Sequence, residues 1–155
     1  MNIPTFLIAF IYGISILFVF PLVFIRLNMF FSLPILSLFI LKVLGLTLIL
    51  LGTVMWLYCI ILFYFIGKGT PVPINPPKKL VDSRIYKLSR NPMYISVLII
   101  LLGYFFLFGY WLLLLYVSLM SLFFHLFITF YEEPTLKKKF GKHYKEYCKK
   151  VSRWL

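Results

Sequence analysis

At 155 residues the chain is long enough for one domain, but 63% of it is apolar, 21% aromatic and only 13% charged, a balance that excludes an ordinary water-soluble fold. The formal net charge is +12, and the basic residues are clustered: Lys68, Lys78, Lys79, Arg84, Lys87 and Arg90 in one hydrophilic stretch, and Lys137, Lys138, Lys139, Lys142, Lys145, Lys149, Lys150 and Arg153 in the tail. Clusters of this kind beside long apolar runs are the positive-inside pattern of a membrane protein rather than a phosphate-binding surface, so no nucleic-acid partner is expected.

The first apolar run, Ile3 to Ile25, carries no ionisable group and stops at Arg26. A crossing needs about 20 apolar residues, so a first span is expected over roughly 3–25. Met1 to Pro4 brings no positive charge, so the run lacks the basic start of a secretory signal and is expected to be retained. Ser32-Leu33-Pro34 reads as a helix start, with a hydroxyl at the cap and proline in the first turn. Apolar residues then continue to Ile66. A helix over that whole length would measure about 50 Å against a hydrocarbon core of about 30 Å. The second span is therefore expected over roughly 43–66, with Lys42 snorkelling at the outer interface. A lysine on an ion pathway is the sharper alternative.

Gly67 to Arg90 contains Gly67, Gly69, Pro71, Pro73, Pro76 and Pro77, which a helix does not accommodate, and a loop of such length is usually functional or disordered. Gly67-Lys68-Gly69-Thr70 lacks the full spacing of a phosphate loop and follows an apolar helix, so it is not read as one. Asn91 as N-cap and Pro92 in the first turn open a third span over about 92–108. Gly109 ends it, and a fourth span over about 110–131 follows so closely that the two must form an antiparallel hairpin. Four crossings place the basic loop, the basic tail and both termini on the cytoplasmic side, and leave Arg26 alone in a loop on the other. The predicted fold class is all-α: a polytopic membrane protein of about four transmembrane helices and a cytoplasmic amphipathic C-terminal helix, in one domain over 1–155.

Within the tail, 134–155, Leu136, Phe140, Tyr144, Tyr147 and Val151 recur at helical spacing among lysines, which predicts a basic helix lying flat on an anionic leaflet. Cys59 and Cys148 lack metal-ligand spacing and read as free thiols, with no metal expected. Glu132 and Glu133 stand at the C-terminal end of the fourth helix, where the dipole repels negative charge. They either pair with neighbouring lysines or hold a cation from elsewhere. His125, seven residues earlier, falls on roughly the same helical face about 10 Å deeper, either as a structural histidine or as a candidate substrate contact in a polar cavity.

Lys78-Lys79-Leu80-Val81, Tyr86 and Arg90-Asn91-Pro92-Met93-Tyr94, followed by Glu132-Glu133, Leu136, Phe140-Gly141, Tyr144 and Tyr147, resemble the isoprenylcysteine carboxyl methyltransferase family, whose pattern phospholipid methyltransferases share. The motifs read LVxxGxYxxxR(H/N)PxY and EExxLxxxFGxxYxxY, and the resemblance covers roughly Gly67 to Trp154. It implies an integral membrane enzyme that binds S-adenosylmethionine between the polar loop, 67–91, the ends of the last two helices and the tail, and takes a lipophilic or prenylated substrate from the bilayer. By that resemblance Lys78, Lys79, Leu80, Val81, Tyr86, Arg90, Asn91, Pro92 and Tyr94, with Glu132 or Glu133, line the cofactor site, and the odd placement of the glutamates has a reason in the cofactor's positive charges.

Three positions depart from the pattern. Asn91 stands where the RHPxY form has histidine, and Arg84 where a glycine usually precedes Tyr86. Phe127 to Tyr131 contain no arginine, whereas the prenylcysteine enzymes carry one shortly before the acidic pair for the substrate carboxylate. Pro134 is expected to kink the helix. The alternatives are a phospholipid N-methyltransferase and, from another class, a non-catalytic scaffold that binds anionic lipid.

Overall fold

The computed structural model describes residues 11–67 and 79–154. Helix α1 is Ile11–Phe30, α2 is Phe39–Gly67, α3 is Pro92–Phe108 and α4 is Trp111–Phe127; α4 continues through a π turn, Ile128–Glu132, into α5, Glu133–Lys150. A 3-10 turn, Arg84–Lys87, lies between α2 and α3. The described residues form no strand, in keeping with the all-α expectation. Among the described residues three helices are long and apolar enough to cross a membrane: α1, α2 and the continuous Trp111–Lys150, whose apolar part ends at Tyr131. Helix α3 is equally apolar but shorter. Only 17% of the most apolar stretch of α2 is buried within the chain, so most of its side chains face outward, as hydrocarbon solvent requires.

Helix boundaries differ from the expected ones where tertiary partners compete with local signals. α1 runs on past Ile25 through exposed Arg26 to Phe30; a long basic side chain near a helix end reaches water without stopping the helix. Ser32-Leu33-Pro34 does not start α2. Ser32 takes a φ of +49°, Ile35 pairs with Tyr110 as an isolated antiparallel bridge, and Leu36 N donates to Gly109 O at 2.9 Å. The backbone here finds its partners on the tip of the α3–α4 hairpin, so it need not be helical. Asn28, fully buried, stitches the same end: its Nδ2 donates to Leu33 O at 3.2 Å, and its Oδ1 accepts from Leu112 N at 3.1 Å. Lys42 lies exposed in the first turn of α2.

The hairpin turns at Gly109, whose φ of +73° closes α3 in the left-handed cap that glycine adopts without penalty. Helices α2 and α3 touch backbone to backbone: a Cβ added at Gly45 would lie 2.5 Å from Leu107 N and 2.7 Å from Gly103 O. The main core gathers Leu17 of α1, Val97, Ile100 and Leu101 of α3, and Tyr116, Phe124 and Ile128 of the last helix. Tyr116 Oη donates to Ile16 O at 2.9 Å, fixing α1 against α4.

Candidate functional site

Two stretches far apart in sequence meet at one end of the bundle. After the connection, Lys79 N returns to Gly67 O at 3.3 Å, and Val81 and Tyr86 pack on Cys59 and Leu62 at the end of α2. The apolar stripe of α5 then covers this segment: Tyr144, Tyr147 and Val151 pack with Leu80, Leu136 and Phe140, and Tyr147 Oη donates to Tyr86 O at 2.6 Å. Burial pushes the Tyr147 phenol well above its ordinary value, so it remains a donor. The stripe expected to lie on lipid is thus taken up by the chain itself, and the lysines of α5 are left pointing outward. Pro134 stands in the first turn of α5, directly after the π turn, where proline leaves no helical hydrogen bond unmade. The non-helical residue of α5 is Gly141, at φ +53°.

The chain end forms a strap over the start of α3. Arg90 N donates to Ser152 O at 3.0 Å, and Arg153 O accepts from Ser89 Oγ at 3.2 Å and from Asn91 Nδ2 at 2.9 Å. Asn91 occupies the N-cap position of α3, but its side chain makes no capping bond; it serves the strap instead. Arg84, in the slot of the family's glycine, has a φ of +59°. A side chain in that region is strained by about 1 kcal/mol or more. Arg84→Gly is therefore expected to raise stability by roughly 0.5 kcal/mol after the extra freedom glycine gives the unfolded chain, read as a higher denaturation midpoint.

The adjacent glutamates have opposite surroundings. Glu133, 4% exposed, takes Arg153 in a fork at 2.8 and 3.0 Å and Arg90 Nη1 at 3.0 Å, with Lys137 Nζ at 3.9 Å. Arg90 also donates to Cys148 Sγ at 2.7 Å. Burial alone would raise the Glu133 carboxyl, but the Arg153 hydrogen bonds and the charges of Arg90, Arg153 and Lys137 outweigh it and hold it below the ordinary glutamate value of 4.5. A depressed folded value contributes stability that is complete above the unfolded pKa and is lost as pH falls through the folded one. Stability is thus expected to decline on acidification below about pH 4.5, and that acid-dependent component should disappear in Glu133→Gln.

Glu132 has no arginine or lysine within salt-bridge distance among the described residues. Its Oε2 accepts one hydrogen bond, from Tyr94 Oη at 2.7 Å, and the Tyr94 ring lies 4.8 Å from that of Phe124. The π turn explains this aim. It inserts an extra residue into the helical phase, about 100° of rotation, and so turns Glu132 toward α3. His125, expected on the Glu132 face, stays on the exposed side, where Trp154 Nε1 donates to its Nδ1 at 3.3 Å.

Of the residues expected at a cofactor site, Leu80, Val81, Tyr86, Arg90, Asn91, Pro92, Tyr94, Glu132 and Glu133 lie in the segments that converge here, and Lys79 is exposed at their edge. Lys78 lies outside the described residues. Arg90, Asn91 and Glu133 spend their side chains on the strap. Arg153 and Trp154 escaped the sequence reading. The available signal was a single arginine in a tail of lysines, since a planar guanidinium suits a two-point carboxylate contact.

Comparison with curated proteins and with solved structures finds no match. The family model described as phospholipid methyltransferase matches residues 40–143, a range that takes in α2, the loop motif, the α3–α4 hairpin, both glutamates and the first half of α5. The chain belongs to the phospholipid methyltransferase family, a group of integral membrane methyltransferases.

Proposed function

We propose that the protein transfers a methyl group from S-adenosylmethionine to the amine headgroup of a membrane phospholipid. The observation that carries this reading is the carboxylate of Glu132, held by Tyr94 and unmatched by any described cation, beside a neighbour that is fully paired. S-adenosylmethionine brings a sulfonium and an ammonium, and such a carboxylate at a dry rim attracts either. Leu80, Val81, Tyr86 and Pro92 supply an apolar bed, with Lys79 along its edge. When bound, the donor supplies an electrophilic methyl: the amine lone pair forms the C–N bond as the C–S bond breaks, its electrons stay on sulfur, and an amine proton leaves to water. Tyr94 and Glu132 contribute orientation, and the strap contributes exclusion of water.

The carboxylate of a prenylated cysteine is the second acceptor to consider, favoured by the RNPxY and EExxL resemblance. It would need a cation, and Arg90 and Arg153 are both engaged by Glu133, so the amine is preferred. The positive-inside pattern supports four crossings, with α3 as the shortest, and a rim facing the cytoplasm.

Calorimetry of the purified protein with S-adenosylhomocysteine, followed by labelled methyl transfer into a native lipid extract, tests the proposal. Tyr94→Phe is expected to weaken cofactor binding about fivefold, the worth of one orienting hydrogen bond of about 1 kcal/mol, without lowering the melting temperature. Absence of binding to the unmodified protein would leave the lipid-binding scaffold as the better reading.

A further inference from the structure

Helix α4 carries a polar stripe that the methyl-donor site does not use. Ser118, Ser121 and His125 recur at intervals of three and four residues and so share one face, and all three are exposed on a helix whose other exposed side chains are apolar. Polar side chains on such a surface are unfavourable unless something polar meets them. With Val117, Leu122 and Trp154 they line an open groove of about 550 Å³.

The surrounding bonds define what this groove offers. Ser118 Oγ turns back to Leu114 O at 3.0 Å, whereas Ser121 makes no hydrogen bond among the described residues. His125 Nδ1 accepts from Trp154 Nε1 at 3.3 Å, with the two rings stacked at 6.3 Å and 21°. The neutral imidazole then keeps its proton on Nε2 and presents an N–H donor. Among the described residues no carboxylate lines the groove. Two donors between apolar walls suit an amphiphile that carries acceptor oxygens. Depth agrees with this, because His125 lies about 10 Å along the helix from Glu132, just below a headgroup layer of roughly 5–7 Å per leaflet.

We propose that this groove binds one glycerophospholipid, whose ester or phosphate oxygens accept from His125 Nε2 and Ser121 Oγ and whose acyl chain lies along Val117 and Leu122. Trp154 packs against the same hydrophobic cluster as Tyr94, the partner of Glu132, so one cluster backs both the groove and Tyr94. That the lipid held there is the methyl acceptor rests on the methyltransferase reading above; that a lipid is held there does not.

Native mass spectrometry of detergent-purified protein titrated with dioleoylphosphatidylethanolamine tests the site. The unmodified chain is expected to retain one phospholipid, and Ser121→Leu with His125→Leu to weaken retention at least fivefold, while S-adenosylhomocysteine affinity stays within twofold. Equal lipid occupancy in the two proteins overturns the proposal. So does a dimer that the double variant dissociates without losing lipid, since the face would then be an interface between copies. If the double variant fails to fold, Ser121→Ala and His125→Gln singly carry the same comparison. Lipid retention that depends on these residues, in a protein that binds no S-adenosylhomocysteine, upholds the groove and overturns only the methyltransferase reading.

Discussion

Glu132→Gln is expected to lower S-adenosylhomocysteine affinity slightly and S-adenosylmethionine affinity at least tenfold, with the melting temperature unchanged, whereas Glu133→Gln is expected to unfold the strap. The asymmetry follows from what each carboxylate already holds. Among the described residues Glu132 accepts only from Tyr94 Oη. Its neutral replacement keeps that hydrogen bond and removes one charge, so the loss falls on a cationic ligand and is largest for the one that still carries a sulfonium. A hydrogen bond or contact to a charged partner is worth about 1.5–3 kcal/mol, which sets the tenfold floor. Glu133 lies between Arg90 and Arg153. Removing its charge leaves two guanidinium groups near each other without a counter-ion, at a cost of about 3 kcal/mol, the lower end of the range for broken buried pairs because Arg153 reaches solvent. Binding calorimetry with both ligands and a thermal melt on each variant separate the two effects. Equal losses of cofactor affinity in the two variants, with equal melts, would remove the distinction and with it the assignment of Glu132.

The convergence of loop and tail was legible in sequence because both stretches carry dense motifs, and because Leu136, Phe140, Tyr144, Tyr147 and Val151 keep helical spacing. What that stripe would face was not legible. Periodicity reveals that one side of α5 is apolar, but not whether lipid or protein covers it, and the cover is Leu80 with the segment before Tyr86. Ser32-Leu33-Pro34 misled for a related reason: it is a sound local helix start, overruled by Gly109 and Tyr110 from a hairpin far along the chain. The π turn at Ile128–Glu132 left no periodic trace, since one extra residue shifts phase only after it has occurred. It is nevertheless what separates His125 from Glu132 and gives them different neighbours.

An equally large effect on stability is expected away from the rim, at Gly45 and Gly103. In hydrocarbon the helices gain nothing from burying apolar side chains against each other, so close backbone approach and dispersion must hold them. Gly45 and Gly103 provide that approach reciprocally: a Cβ on Gly103 would lie 2.8 Å from Gly45 O and 3.0 Å from Ile49 N, and one on Gly45 meets Leu107 N. These obstacles are backbone atoms and cannot rotate aside. Gly52 extends the seam, since a Cβ there would lie 3.0 Å from Ser96 O, with Ile100 beside it. Gly45→Val or Gly103→Val should therefore separate α2 from α3 and cost about 3 kcal/mol, the upper part of the range for overpacking. The start of α3 carries Asn91 and Tyr94 and the end of α2 carries Cys59 and Leu62 under Tyr86, so cofactor binding should fall together with the melt. Gly13, whose added Cβ would meet nothing within 4 Å, gives the matched control: Gly13→Val should leave both measurements where they were. A seam variant that melts normally would mean that the α2–α3 contact contributes little to holding the site together.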